Sequence, residues 1–187
     1  MRTLIVTAFV SLDGVIDSPG GEEGYRNTGW TFKDIEHDAD SYGIKDREQQ
    51  EATAMLMGRV SYEAFAPVWP NMDYFAGYNA MPRYVVSTTL TEENPGWPAT
   101  ILRSLDDVAA LKETDGGPII VHGSATLGRN LADAGLVDRY HLLQFPVLLG
   151  AGKRMWSDAD KDKTMLNVVE SESYPNGLVK LVLDVVR

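Results

Sequence analysis

Two segments of this chain have the same local form. Met57-Gly58-Arg59-Val60-Ser61-Tyr62-Glu63 and Ile119-Ile120-Val121-His122-Gly123-Ser124-Ala125-Thr126-Leu127 each run from an apolar stretch through glycine into a helix start. Buried strand, glycine turn and helix form the repeating unit of a parallel α/β sheet. A helix start also presents unpaired backbone N–H groups and the positive end of the dipole, which suit phosphate. The first segment adds a guanidinium fork and a hydroxyl within three residues, Arg59 and Ser61, the donors that grip a phosphate. Two such turns on one chain point to a dinucleotide with an extra phosphate more than to a simple anion.

The rest of the chain extends the alternation. Thr3 to Val10 is apolar and β-branched, the pattern of a central strand buried on both faces. Residues 11 to 30 hold five glycines and one proline, so a long loop is expected, mobile until a ligand orders it. Charges dominate from Phe32 to Thr53, with helical sequence strongest after Lys45. Short strands are expected over Ala54 to Met57, Arg83 to Thr88, Thr100 to Arg103 and Pro118 to Val121. Helices are expected over Arg59 to Ala66, after a Ser104 cap, and over Thr126 to Ala134 with Gly135 as its stop. A long strand covers Val137 to Val147. Met165 to Ser173 and Leu178 to Val186 flank Pro175-Asn176-Gly177, which predicts an antiparallel hairpin. The expected fold is α/β: a mostly parallel central sheet flanked by helices, with an antiparallel C-terminal hairpin, in one domain over residues 1–187.

Composition narrows the function. With 187 residues, 44% of them hydrophobic and 24% charged, the chain can bury an ordinary core. The absence of cysteine removes disulfides, thiolate metal sites and a cysteine nucleophile. A net charge of −10 without basic runs opposes nucleic-acid binding, and no apolar run approaches membrane-spanning length. No signal peptide is apparent, and a cytoplasmic protein is expected. An anionic ligand needs a local pocket, for which Arg59, Arg83, Arg103, Arg129, Lys153 and Arg154 are available. No metal site is expected: His37 lies among Glu36, Asp38 and Asp40, which reads as a solvated charge run.

Several pieces follow one another in a recognisable order: Ser11-Leu12-Asp13-Gly14, Met57 to Glu63, Tyr84-Val85-Val86-Ser87, Gly123 to Leu127, Leu136-Val137-Asp138, and Pro146-Val147-Leu148-Leu149-Gly150-Ala151-Gly152-Lys153. In this order and spacing the chain resembles the dihydrofolate reductase-like superfamily, and within it the reductase domain of bacterial riboflavin biosynthesis. The resemblance implies an NADPH-binding fold and an NADPH-dependent reductase of a small flat heterocycle, pterin-like or pyrimidine-like, such as a ribosylated aminouracil phosphate. It implies that Gly58, Arg59 and Ser61 hold the 2′-phosphate end of the cofactor. Ser87 and Thr88 would flank the adenosine, and Gly123, Ser124, Ala125, Thr126 and Leu127 would approach the pyrophosphate. Ser11 and Gly14 would lie beside the nicotinamide, and Lys153 on the substrate side. It also implies a homodimer, which the long apolar strands at the C-terminus favour independently.

Two departures stand out. His122 occupies the place of a glycine that relatives often carry in the second turn; it can be a satisfied core residue, a ligand-facing donor or a catalyst. The acid that assists folate reduction has no clear counterpart, since Asp34, Glu36, Asp38, Asp40, Asp46, Glu48 and Glu51 are not separated by spacing. That argues against a folate reductase. Asp13 is the side chain favoured for proton delivery, beside the bland reading of a turn-forming aspartate. The alternative function is a non-catalytic nucleotide-binding or ligand-sensing module.

Overall fold

The computed structural model describes residues 1–158 and 162–187. Eight strands form one sheet: β1 (Leu4–Ser11), β2 (Ala54–Gly58), β3 (Arg83–Val86), β4 (Thr100–Leu102), β5 (Ile119–His122), β6 (Arg139–Phe145), β7 (Leu166–Ser173) and β8 (Val179–Val185). Their order is β4-β3-β2-β5-β1-β6-β8-β7. β1 to β6 run parallel to one another, and β8 is antiparallel to both β6 and β7. Five helices connect them: α1 (Gly43–Glu51), α2 (Arg59–Phe65), α3 (Ala76–Ala80), α4 (Leu105–Lys112) and α5 (Ala125–Asp133). This is the expected mixed α/β sheet, with strand and helix ends within a few residues of those read from sequence.

Alternate residues of β1 face opposite layers, which is why its sequence is apolar without a break. Leu4, Val6, Ala8 and Val10 pack with Val108 and Leu111 of α4 and Leu127 and Leu131 of α5. Ile5 packs on the other face with Met55, Met57, Tyr62 of α2 and Tyr78 of α3. A third cluster joins Val15, Trp30, Leu143, Phe145 and Leu149 below the long loop. Ser104 caps α4 in a reciprocal capping box with Asp107. Asp138 ties the sheet's lower edge, accepting from the Leu4 amide at 2.7 Å, Lys112 at 2.6 Å and Arg187 at 2.6 Å.

The segment after β1 is the expected long loop, with no helix or strand before residue 40. It is built around Trp30, which is buried, packs edge-on against Phe145 and donates from its indole to the Asp17 carbonyl at 2.8 Å. Thr31 donates to Pro19, Thr28 to Glu22, and Tyr25 reaches across to Ala151. A buried aromatic anchor and satisfied backbone groups give this loop an Ω-like form. The short α3 and the single 3₁₀ turns at 40–42, 69–71 and 73–75 also lacked a sequence signal. They are too short to display a helical period. No helix of the described residues is long and apolar enough to cross a membrane.

Candidate functional site

All the parallel strands deliver their loops to one edge of the sheet, and the sequence pieces singled out above collect there. Gly58 ends β2 opposite Val86 of β3, so Arg59 and Ser87 leave the sheet side by side. On its other side β2 pairs with β5, with Leu56 opposite Val121, so the Gly123 turn follows beside Gly58. In open α/β sheets this carboxyl edge is where ligands bind.

The two glycine turns are joined. The Gly58 amide donates to the Ser124 hydroxyl at 2.9 Å, and that hydroxyl lies 2.9 Å from the Ser61 hydroxyl and 3.2 Å from the His122 carbonyl. Gly123 and Ser124 both adopt left-handed backbone, with φ of 61° and 66°. The φ of Gly123 favours glycine, while a Cβ there would meet Phe65 and Ser61 only at an ordinary 3.4 Å. Ser124 spends its side chain on the other turn, and α5 starts without a side-chain cap. Its first-turn amides therefore remain available to an anion. Gly58 differs: its φ is −82°, and a Cβ there would find only ordinary contacts of 3.7 Å and beyond. The chain itself does not demand glycine at 58; a ligand lying against the backbone would. These residues fit a phosphorylated dinucleotide.

Arg59 stands at the first position of α2, with its Nη1 2.7 Å from Glu63 Oε2. Ser87 is buried, and its hydroxyl accepts the amides of Thr89 at 3.1 Å and Leu90 at 2.9 Å. Arg103 braces the same turn by donating to the carbonyls of Ser87 and Leu90. Thr88 is exposed at its tip. Arg83 belongs elsewhere: it lies over Trp97 and donates to Asn79, Met81 and Pro98 at the opposite end of β3. Arg129 donates to the Arg154 carbonyl.

Asp13 works as a clamp between two loops. Its carboxylate accepts from the Ser11 hydroxyl at 2.6 Å, the Leu149 amide at 3.1 Å and the Gly150 amide at 2.8 Å. The Ser11 hydrogen bond, then those amides, hold its carboxyl down at about 2 against the cost of burial. In this geometry Asp13 is a carboxylate that accepts three hydrogen bonds and ties its turn to the 149–150 loop. Arg154 donates to the carbonyls of Asp13 and Gly150, and Lys153 pairs with Asp17 at 3.3 Å, so both cations close the same loop pair. Gly14 (φ 82°) turns the chain below Trp156.

Sequence reading did not isolate a buried polar row beneath this edge. Thr7 of β1 lies opposite His122 of β5 and His141 of β6. Glu48 of α1 reaches into the row. Its Oε1 accepts from Thr7 at 2.7 Å and lies 3.0 Å from His141 Nδ1, while its Oε2 accepts from Tyr78 at 2.9 Å. Lys45 lies 3.4 Å from Glu48, donates to Thr7 and sits 5.0 Å from the Phe9 ring centroid. Burial alone would raise the Glu48 carboxyl; Lys45, His141 and Thr7 overcome it and hold the group well below the usual carboxylate range. Burial, with Lys45 nearby, lowers His122 to about 3 and keeps its ring neutral among Phe65, Trp69 and Tyr78. The Nδ1 of His122 and the Nε2 of His141 are buried without a partner among the described residues. The available signal was two polar residues, Thr7 and His141, interrupting apolar strands. Trp30, Trp69 and Trp97 are core residues, whereas Trp156 is partly exposed against Tyr140. Among the described residues no cluster could hold a metal ion.

Known proteins carry the same architecture. A putative riboflavin biosynthesis protein from Shewanella sp. PV-4 superposes with a TM-score of 0.80 at 21% identity, covering 100% of both chains. A pyrimidine reductase-like protein from Corynebacterium diphtheriae gives 0.66 at 13%, covering 100% of this chain and 92% of the other. The dihydrofolate reductase of Enterococcus faecalis, complexed with NADP(H) and RAB-propyl, gives 0.60 at 14%, covering 99% and 97%. In sequence, the uncharacterized protein YyaP of Bacillus subtilis (strain 168) is 28% identical over 188 residues, 97% of this chain and 94% of its own. The family model of the RibD C-terminal domain matches residues 2–180. That match spans both glycine turns, the Asp13 clamp and the buried row, and the chain belongs to the RibD C-terminal domain family.

Proposed function

We propose that this protein is an NADPH-dependent reductase of a small flat heterocycle, pterin-like or pyrimidine-like. The observation that carries the reading is the junction of the two turns, Gly58 amide to Ser124 hydroxyl to Ser61 hydroxyl. It places a bare backbone, an uncapped helix start and the Arg59 guanidinium at one sheet edge. Membership of a reductase-containing family supports it, as does the shared fold of an NADP(H)-complexed dihydrofolate reductase.

Arg59 and Ser61 would hold the 2′-phosphate, Ser87 and Thr88 the adenosine, and the 123–127 turn the pyrophosphate. The bound cofactor supplies hydride. Ser11 and Gly14 border the space beside it, and Asp13 fixes that loop without giving up a proton. The proton comes from ordered water, since Asp13 and Glu48 are both held as carboxylates.

The same two committed carboxylates also favour a second reading, a nucleotide-binding module that senses a ligand without turnover. NADPH oxidation measured with a panel of pterins, pyrimidinediones and quinones separates the two. Consumption with any member supports the reductase; tight cofactor binding with no consumption across the panel supports the module.

A further inference from the structure

We propose that Glu63 sets cofactor selectivity by competing with a phosphomonoester for the Arg59 guanidinium. The inference rests on the reading of Arg59 as the phosphate-binding arginine. Arg59 and Glu63 form a 2.7 Å ion pair across one turn of α2, with side chains 42% and 48% exposed. Helix electrostatics do not account for the pair. Arg59 is a cation at the positive helix end and Glu63 an anion in the last turn, the reverse of what the dipole favours. The order of charges along the helix is also the weaker one for an i,i+4 pair. Neither side chain has another polar partner among the described residues. The pair therefore contributes little to α2, and its exposure keeps it easy to open.

Its consequence falls on the ligand. In the free protein the guanidinium carries a carboxylate counter-ion 2.7 Å away. A phosphomonoester carries up to two negative charges and accepts bidentate donation, so it takes the guanidinium from Glu63. The displaced carboxylate remains within a few ångströms, within one Debye length at ordinary salt, and opposes the new charge. A dinucleotide without the phosphate opens no pair and meets no such opposition. Glu63 thus lowers the affinity for the phosphorylated dinucleotide alone and holds the selectivity below what Arg59 could give.

Calorimetric titration of NADPH, NADH and adenosine 2′,5′-bisphosphate into the wild type, Glu63→Gln, Arg59→Ala and the double variant tests this. Glu63→Gln is expected to tighten NADPH and the bisphosphate by about three- to fivefold, with a smaller gain at high salt and no change for NADH. Glu63→Ala should behave alike, and the double variant should match Arg59→Ala. Arg59→Ala weakening NADPH while Glu63→Gln leaves it unchanged, or shifts NADPH and NADH together, overturns the role of Glu63 alone. Arg59→Ala leaving NADPH unchanged overturns the phosphate reading and the role of Glu63 with it.

Discussion

The Gly58 amide meets the Ser124 hydroxyl at 2.9 Å, across 66 positions of sequence. One side chain thereby registers the end of β2 against the start of α5. Ser124→Gly suits the left-handed backbone and removes the hydroxymethyl group that joins the turns. A hydrogen bond of this kind contributes about 0.5–1.5 kcal/mol, so NADPH and NADH should both weaken, roughly three- to tenfold. Calorimetry on both cofactors checks it; a loss confined to NADPH would mean that Ser124 acts on the 2′-phosphate instead of on the turns.

Asp13 should prove to be a clamp. Asp13→Ala is expected to cost about 0.5–1.5 kcal/mol through loss of its bonds to the Leu149 and Gly150 amides. Its folded pKa of about 2 lies below the ordinary 3.8. The stabilisation is therefore fully present above about pH 4 and fades as pH falls toward about 2. Chemical denaturation at several pH values measures it. In turnover, the variant should keep the wild-type form of the kcat–pH profile; loss of a limb would restore Asp13 as the proton donor.

Glu48→Gln should be far more damaging than a surface change. It leaves the Lys45 ammonium buried without its counter-charge, and breaking such a pair costs about 3–5 kcal/mol. The double variant Glu48→Gln/Lys45→Met should recover much of that loss, because no isolated charge remains. Because the Glu48 carboxyl is held down in the fold, its contribution is present above the ordinary carboxylate range and is lost on acidification. Urea midpoints of the two variants decide the point.

The fold was largely legible because its signals are local and strong. Continuous β-branched runs marked β1 and β5, Ser104 with Asp107 marked the start of α4, and Gly135 (φ 68°) marked the end of α5. The glycine turns were legible for the same reason. Their contact was not, since no sequence rule sends the Ser124 hydroxyl to the Gly58 amide. The buried row was less visible still. Glu48 looks like its acidic neighbours until the sheet places Thr7 and His141 against it. The packing of the Trp30 loop was not legible, because its contacts with Phe145 and Ala151 are long-range.

We also propose that the protein is a homodimer through its C-terminal strands. β7 is an outer strand of the sheet and leaves Val168 and Val169 at 57% and 44% exposure, with Met165 just before it at 57%. Uncovered apolar edge strands invite pairing, and a two-fold copy covers them symmetrically. Light scattering across a dilution series should give twice the 20.6 kDa chain mass. Val168→Lys should shift the balance toward monomer. A monomer at micromolar concentration would contradict the proposal, and a dimer insensitive to Val168→Lys would place the interface elsewhere.

The central claim is that the joined turns hold a dinucleotide by its extra phosphate. Titration of NADPH and NADH into the unmodified protein and into Arg59→Ala addresses it directly. Charge-assisted hydrogen bonds to a phosphate contribute about 1.5–3 kcal/mol each. NADPH should therefore bind the unmodified protein about tenfold or more tightly than NADH, and Arg59→Ala should remove that preference with little effect on NADH. Equal affinities for the two cofactors, or equal weakening of both in Arg59→Ala, would contradict the account.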